Sequence, residues 1–261
     1  MKKTFIVLLI LFIIIVFGSL AIRYFANTAE PDNWFNRDYR ARFSRYPALR
    51  FVYGLHWDGD AKADYLLPES YKNIKIVLNR YDECGIAASD LEPVRQEVGN
   101  IAKKSGQVTV EDGAIMTLTQ DSYDRPGIRS IAKKFHSVRT AGETAVLNIY
   151  CLNVYGEQPT NVGLTVNEDG IVIFYKTLRQ DAGSDAGVFN AYVTSTILHE
   201  FGHQIGLDHG QDPTCLMAET AEISSSLGSR FAVFAPITFC QQEVQRIEEI
   251  RTSLYNNVNK Y

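Results

Sequence analysis

Basic residues do not outnumber acidic ones in this chain. Against 26 Lys and Arg stand 30 Asp and Glu, a net charge of −4. That balance leaves no electrostatic footprint for a phosphate backbone, so nucleic acid is excluded as an expected partner. Cysteine is scarce too. Cys84, Cys151, Cys215 and Cys240 allow at most two disulfides, and none sits in a Cys-x-x-Cys pair of the kind that closes a structural zinc site. Tryptophan occurs twice and histidine five times. Three of those histidines fall between His199 and His209, and this concentration is the most informative feature of the chain.

The stretch reads H-E-F-G-H-Q-I-G-L-D-H. On a helix, His199 and His203 lie one turn apart on one face, so both imidazoles can reach a single metal ion. Glu200 is adjacent but off that face, which suits it to act as general base on a metal-activated water. Gly206 tolerates positive φ just past a helix end and can send the chain back so that His209 completes the site. Three neutral imidazoles leave a fourth position open, the mark of a catalytic zinc centre. Val193, Ile197, Phe201 and Ile205 recur every four residues on the opposite side and should anchor the helix to the core.

This segment resembles the extended zinc signature of the metzincin metallopeptidases, and Met217 in Thr214-Cys215-Leu216-Met217 resembles their Met-turn. The run from His209 to Met217 is most similar to matrixins, although Ala218-Glu219 stands where Tyr-Pro usually follows. Cys215-Leu216-Met217 is also similar to archaemetzincins, with Gly210 where they carry a cysteine. Leu147–Tyr150, Gly163-Leu164 and the run 169–173 are similar to pappalysin-like bacterial enzymes.

The resemblance implies an α/β (α+β) zincin/metzincin-like catalytic domain. Its parts would be a twisted mixed sheet with an antiparallel edge strand, an active-site helix and a C-terminal helix. It further implies one catalytic Zn2+ on His199, His203 and His209, with Met217 and Gly206 as structural supports. A peptide or protein substrate would lie along an edge strand carrying Gly163, Leu164 and Thr165. The implied activity is hydrolysis of peptide bonds. A zinc-dependent binding or adhesion module and a hydrolase of non-protein amides are the alternatives. The similarity of Trp57-Asp58-Gly59-Asp60 to the F-x-G-D of astacin prosegments makes Asp60 a candidate latency switch, against a plain Asp-Gly turn.

After Lys2 and Lys3, a charge-free apolar run from Phe5 to Ile22 is about 18 residues long, just enough to cross a bilayer. It is expected to be a signal anchor with its N-terminus inside and the catalytic domain exported. Cleavage near Ser19 or Ala21 and secretion is the alternative. No lipobox cysteine follows. Export would expose the cysteines to oxidation. A Cys215–Cys240 bond would tie the Met-turn to the last helix, with buried free thiols as the alternative and a structural thiol expected at Cys84.

The expected organisation is an anchor or signal peptide over 1–25, a juxtamembrane or wrapping segment over 26–70 and the peptidase-like domain over 71–261. Arg37, Arg40, Arg42, Arg45 and Arg50 in the middle segment are expected to be solvated or internally paired rather than bound to lipid. In the domain, strands are expected at 73–78, 107–110, 115–118, 145–151, 162–166 and 171–175. Helices are expected at 92–104, 128–135, from about Val188, and at 241–256. This alternation predicts a parallel α/β layer. His56 and His136 are expected to be isolated surface or packing residues.

Overall fold

The computed structural model describes residues 2–27, 33–136, 138–218 and 235–256. A five-stranded sheet has the order β2-β1-β4-β7-β6, with β1 Asn73–Tyr81, β2 Val108–Met116, β4 Thr144–Leu152, β6 Gly163–Asn167 and β7 Gly170–Phe174. Four strands run parallel, and the edge strand β6 pairs antiparallel with β7. The fold is thus mixed α/β with an antiparallel edge, as expected. A small parallel pair, β3 Ser122–Tyr123 and β5 Val154–Tyr155, flanks it.

Alternation along the strands builds two apolar layers. Ile74, Ile76 and Leu78 of β1, Leu147 and Ile149 of β4 and Ile171 and Ile173 of β7 face one side. There they pack with α6 Glu92–Ala102 and α9 Ala186–Gln204. Tyr150, Leu152, Val172 and Phe174 face the other side and meet Ile128 and Ala132 of α7 Arg125–Phe135. The helix α8 Tyr175–Ala182 leads into α9, and the last helix, α10, spans Gln241–Asn256.

One expectation of secondary structure is corrected. The two strands expected at 107–110 and 115–118 are a single strand, β2. The pairing register shifts between Leu78 and Arg80 on the partner, and Asn79 Oδ1 accepts a hydrogen bond from Ala114 N at 3.0 Å. That bond carries the strand through Asp112-Gly113 as a bulge where a gap between two strands was expected. A Cβ on Gly113 would lie 2.5 Å from Asn79 Oδ1, so the bulge needs glycine. Helix α7 starts three residues before expected, because Asp124 caps it through Gly127 N with Pro126 in the first turn.

Four short helices fill the segment after α1 Lys2–Asn27: α2 Trp34–Asp38, α3 Arg40–Ser44, α4 Pro47–Tyr53 and α5 Lys62–Leu66. The last of these belongs to the main core. Tyr65 packs edge-on against Phe201 of α9 and donates to Val146 O at 2.9 Å. The chain thus wraps the domain before entering its sheet. Disulfides join Cys84 to Cys151 and Cys215 to Cys240. The second is the pairing expected between the Met-turn and the last helix. Cys84 forms a disulfide where a structural thiol was expected, because the end of β4 brings Cys151 to it.

Candidate metal centre

Helix α9 starts at the Asp185 cap, which accepts from Gly187 N and Val188 N. It ends at Gly206, with φ +95°. Gly206 N donates to His203 O at 3.0 Å and Leu207 N to Gly202 O at 2.9 Å, the paired bonds of a Schellman stop. This stop turns the chain, and the next residues bring His209 back over the helix. Val193, Ile197, Phe201 and Ile205 are all buried, as their spacing predicts.

The three imidazoles converge. His209 Nε2 lies 3.2 Å from His199 Nε2 and 3.1 Å from His203 Nε2. Ligand nitrogens about 2.0–2.1 Å from one tetrahedral zinc are about 3.4 Å apart, so this spacing fits a shared ion. The rings are also aimed: His199 Nδ1 lies 2.8 Å from Leu216 O and His203 Nδ1 2.9 Å from Leu207 O. A backbone carbonyl that accepts from Nδ1–H fixes the tautomer and turns the Nε2 lone pair towards the common point. His199 is buried, His203 half-buried and His209 exposed, so the site opens to solvent on the His209 side. A second convergence, Cys215, Cys240 and Glu243, is not a metal site of this kind, because the two cysteines are joined in a disulfide.

Glu200, next in the chain to His199, meets the edge strand. Thr165 Oγ1 donates to Glu200 Oε2 at 2.7 Å, and both residues are buried. A Cβ on Gly163 would fall 2.9 Å from Glu200 Oε1 and 2.5 Å from Thr196 Cγ2, so only glycine lets β6 approach this closely. Gly163 and Thr165 thus face the helix, while Leu164 packs with the α7 layer. Chain order alone placed these three residues on a substrate strand. The hydroxyl of Thr165 on the general-base candidate was not foreseen.

Met217 lies under the helix, where a Cβ on Gly202 would come within 2.2 Å of its Sδ. Its main chain is pinned twice: Met217 O accepts from Gly210 N at 2.7 Å, and Met217 N donates to Glu243 Oε1 at 2.5 Å. Glu243 also accepts from Cys240 N at 2.8 Å. Sequence reasoning missed Glu243, although a glutamate three residues after a helix cap is a recognisable capping signal.

Asp60 has another occupation than the one expected of a latency switch. Its carboxylate takes a bidentate pair from Arg40, at 3.0 and 2.6 Å, and a third bond from Trp57 N at 2.8 Å. It is not among the metal-capable groups gathered with the three imidazoles in the described residues. The loop itself does reach the site's edge: a Cβ on Gly59 would sit 3.8 Å from His203 O. Asp58 in the same loop has its carboxyl pushed above the ordinary carboxylate range by burial, with Arg125, Arg129 and His203 pulling the other way.

His56 and His136 are paired rather than isolated, because the β6–β7 turn presents consecutive acids to them. His56 Nδ1 lies 2.6 Å from Glu168, and His136 Nε2 3.1 Å from Asp169.

No protein-family model matches this sequence, and no curated protein matches it in sequence. Solved structures do match its shape. Archaemetzincin from Methanopyrus kandleri superposes with a TM-score of 0.51 at 15% identity, over 72% of this chain and 99% of that one. Archaemetzincin from Archaeoglobus fulgidus matches at 0.42 and 14% identity, over 66% and 99% of the two chains. A zinc-dependent peptidase from Methanocorpusculum labreanum matches at 0.46 and 14%, over 66% and 99%. At such identities the likeness is one of fold. The fold resembles that of archaemetzincin-type zinc peptidases, and nothing in it extends the matrixin-like detail of the 209–217 run.

Proposed function

We propose that the chain is a zinc-dependent endopeptidase with one metal ion, tethered by α1 and acting on proteins or peptides outside the cytoplasm. The observation that carries this reading is the convergence of three aimed imidazole nitrogens beside a buried carboxylate held by the edge strand. His199, His203 and His209 would hold the ion. When bound there, zinc supplies Lewis acidity that polarises a carbonyl and acidifies water.

The rest of the chemistry belongs to the chain. The open edge of β6 offers main-chain donors and acceptors to an extended peptide, a mode of recognition indifferent to side chains. Glu200 is the proton acceptor for the attacking water and the donor to the leaving amine. Thr165 keeps the Glu200 carboxylate against the strand on which the substrate would lie, so base and scissile bond share one reference frame. Gly206 and Met217 shape and support the ligand set.

α1 supports the tether: Thr4–Asn27 is long and apolar enough to cross a membrane, and the rest of the chain buries none of its most apolar stretch. The two lysines before it favour an inside N-terminus.

The test is cleavage of a quenched-fluorescent peptide library by the full chain in detergent, with and without chelator, beside Glu200→Ala. Chelator-sensitive cleavage that disappears in Glu200→Ala with zinc retained is the expected result. Zinc bound without cleavage in the wild type would favour a binding module. Activity confined to an amide-linked cell-wall fraction would move the substrate class.

A further inference from the structure

Outside α1, seven large apolar side chains of the described residues are exposed, and five of them fall within residues 34–52: Trp34, Tyr39, Tyr46, Phe51 and Val52. Phe51 is 78% exposed and Tyr46 55%. A soluble surface scatters such residues singly, so this clustering calls for a cover.

The segment's position relative to α1 identifies that cover. Ala26, Phe35 and Leu55 form a small core of their own, against which Ile22, Phe25, Phe43 and Tyr53 pack. Hydrogen bonds lock the junction. Arg40 donates to Ala26 O at 2.8 Å, Asn33 to Phe25 O at 2.7 Å and Asn27 to Tyr53 O at 2.7 Å. Residues 5–22 rise about 27 Å as a helix, close to the roughly 30 Å hydrocarbon thickness. The next turn, which carries Phe25 and Ala26, therefore lies at headgroup depth, and the elements packed on it lie there too.

Composition agrees with depth. Trp and Tyr favour that layer because their rings are apolar and their N–H and O–H groups are polar. The arginines divide the same way: Arg40 and Arg50 are buried on Asp60 and Asp64, while Arg37 and Arg42 are exposed.

We propose that residues 34–53 form a collar seated in the headgroup layer of the bilayer that α1 crosses. This rests on the reading of α1 as an uncleaved span. The collar holds the catalytic domain at a set height, since its Arg40–Asp60 pair leads directly to the loop at the end of the zinc helix.

The chain's two tryptophans allow a direct test. Trp34 is in the collar; Trp57 lies under the Arg40 guanidinium, 3.6 Å from its ring centre. Full-length protein in phosphatidylcholine vesicles would be compared with and without lipid brominated near the headgroup end of its acyl chains. Trp34, read in Trp57→Phe, should lose most of its emission, and Trp57, read in Trp34→Phe, little. The wild type should lose about half, which checks the result without a substitution.

Resistance of α1 to alkaline carbonate extraction is measured on the same vesicles. An inserted α1 with unquenched Trp34 would overturn the collar and leave the tether standing. Carbonate-extractable protein would overturn the tether and the collar with it.

Discussion

The part of the molecule around the three imidazoles and the part between residues 34 and 64 are held by opposite means. Around the imidazoles, the orienting groups are main-chain carbonyls: Leu216 O for His199, Leu207 O for His203, and Asn167 O and Gly170 O for Gln204 of the same helix. Main-chain carbonyls have no rotamers to freeze, so this site is pre-set by the backbone path, including the loop and turn that carry Leu207 and Leu216. Between residues 34 and 64 the small apolar core around Phe35 and Leu55 is joined by buried ion pairs, Arg40 with Asp60 and Arg50 with Asp64. Buried pairs gain little net stability over apolar packing but cost heavily when one partner is lost. The first part is thus oriented by the backbone path, the second by charge matching.

That contrast is tested most sharply by breaking one charge. Arg50→Ala leaves Asp64 buried without its guanidinium and should cost about 3–5 kcal/mol of stability, read by denaturant unfolding in detergent. Replacing Arg50 and Asp64 together by Met and Leu should recover most of it; a double variant as weak as the single would show that the pair stabilises the fold in itself.

Next in size is Glu200→Ala. Removal of a general base should lower kcat by about 10³-fold with zinc content unchanged. Equal loss of zinc would instead make Glu200 part of the metal's support.

Thr165→Val should follow, with kcat down about 10- to 100-fold at near-constant KM, because the carboxylate loses its donor and the strand keeps its edge. Thr165→Ser should restore most of that. A rise in KM alone would assign the hydroxyl to substrate binding.

The same division explains what could be read from the sequence. Four-residue spacing placed His199 and His203 on one face, and the Gly206 stop followed from a glycine's access to positive φ; both depend on local geometry. The antiparallel edge was expected from the resemblance to metzincins, and the short gap between the apolar runs at 162–166 and 171–175 agrees with it. The bulge at Gly113 was not, because it depends on Asn79, 34 positions away in the sequence and adjacent only through the sheet. Thr165 on Glu200, Cys84 on Cys151 and the Arg40 and Arg50 pairs share that character. Each is a long-range match between residues whose own neighbourhoods carry no signal of it. The segment between residues 34 and 64 was opaque because its buried ion pairs are of this type.

The smallest expected effect joins the two parts. His56 bonds Glu168 at 2.6 Å, tying the loop at 56–60 to the turn that ends the edge strand. The hydrogen bond to Glu168 raises the imidazole's pKa above its ordinary value, although partial burial opposes it. A histidine with a raised folded pKa contributes stability that is fully present below its unfolded value of about 6.5 and fades as pH climbs through the folded one. The loop should therefore be better protected in mildly acidic than in mildly alkaline buffer. Amide exchange of residues 54–60, corrected for the intrinsic pH dependence, should show higher protection at the lower pH by a small factor, since the imidazole is half exposed and screened. His56→Ala should flatten that difference while leaving α9 equally protected at both pH values. A pH dependence that survives His56→Ala would assign the coupling to Asp58, whose raised carboxyl pKa acts with the same sign, its folded state also being favoured as pH falls.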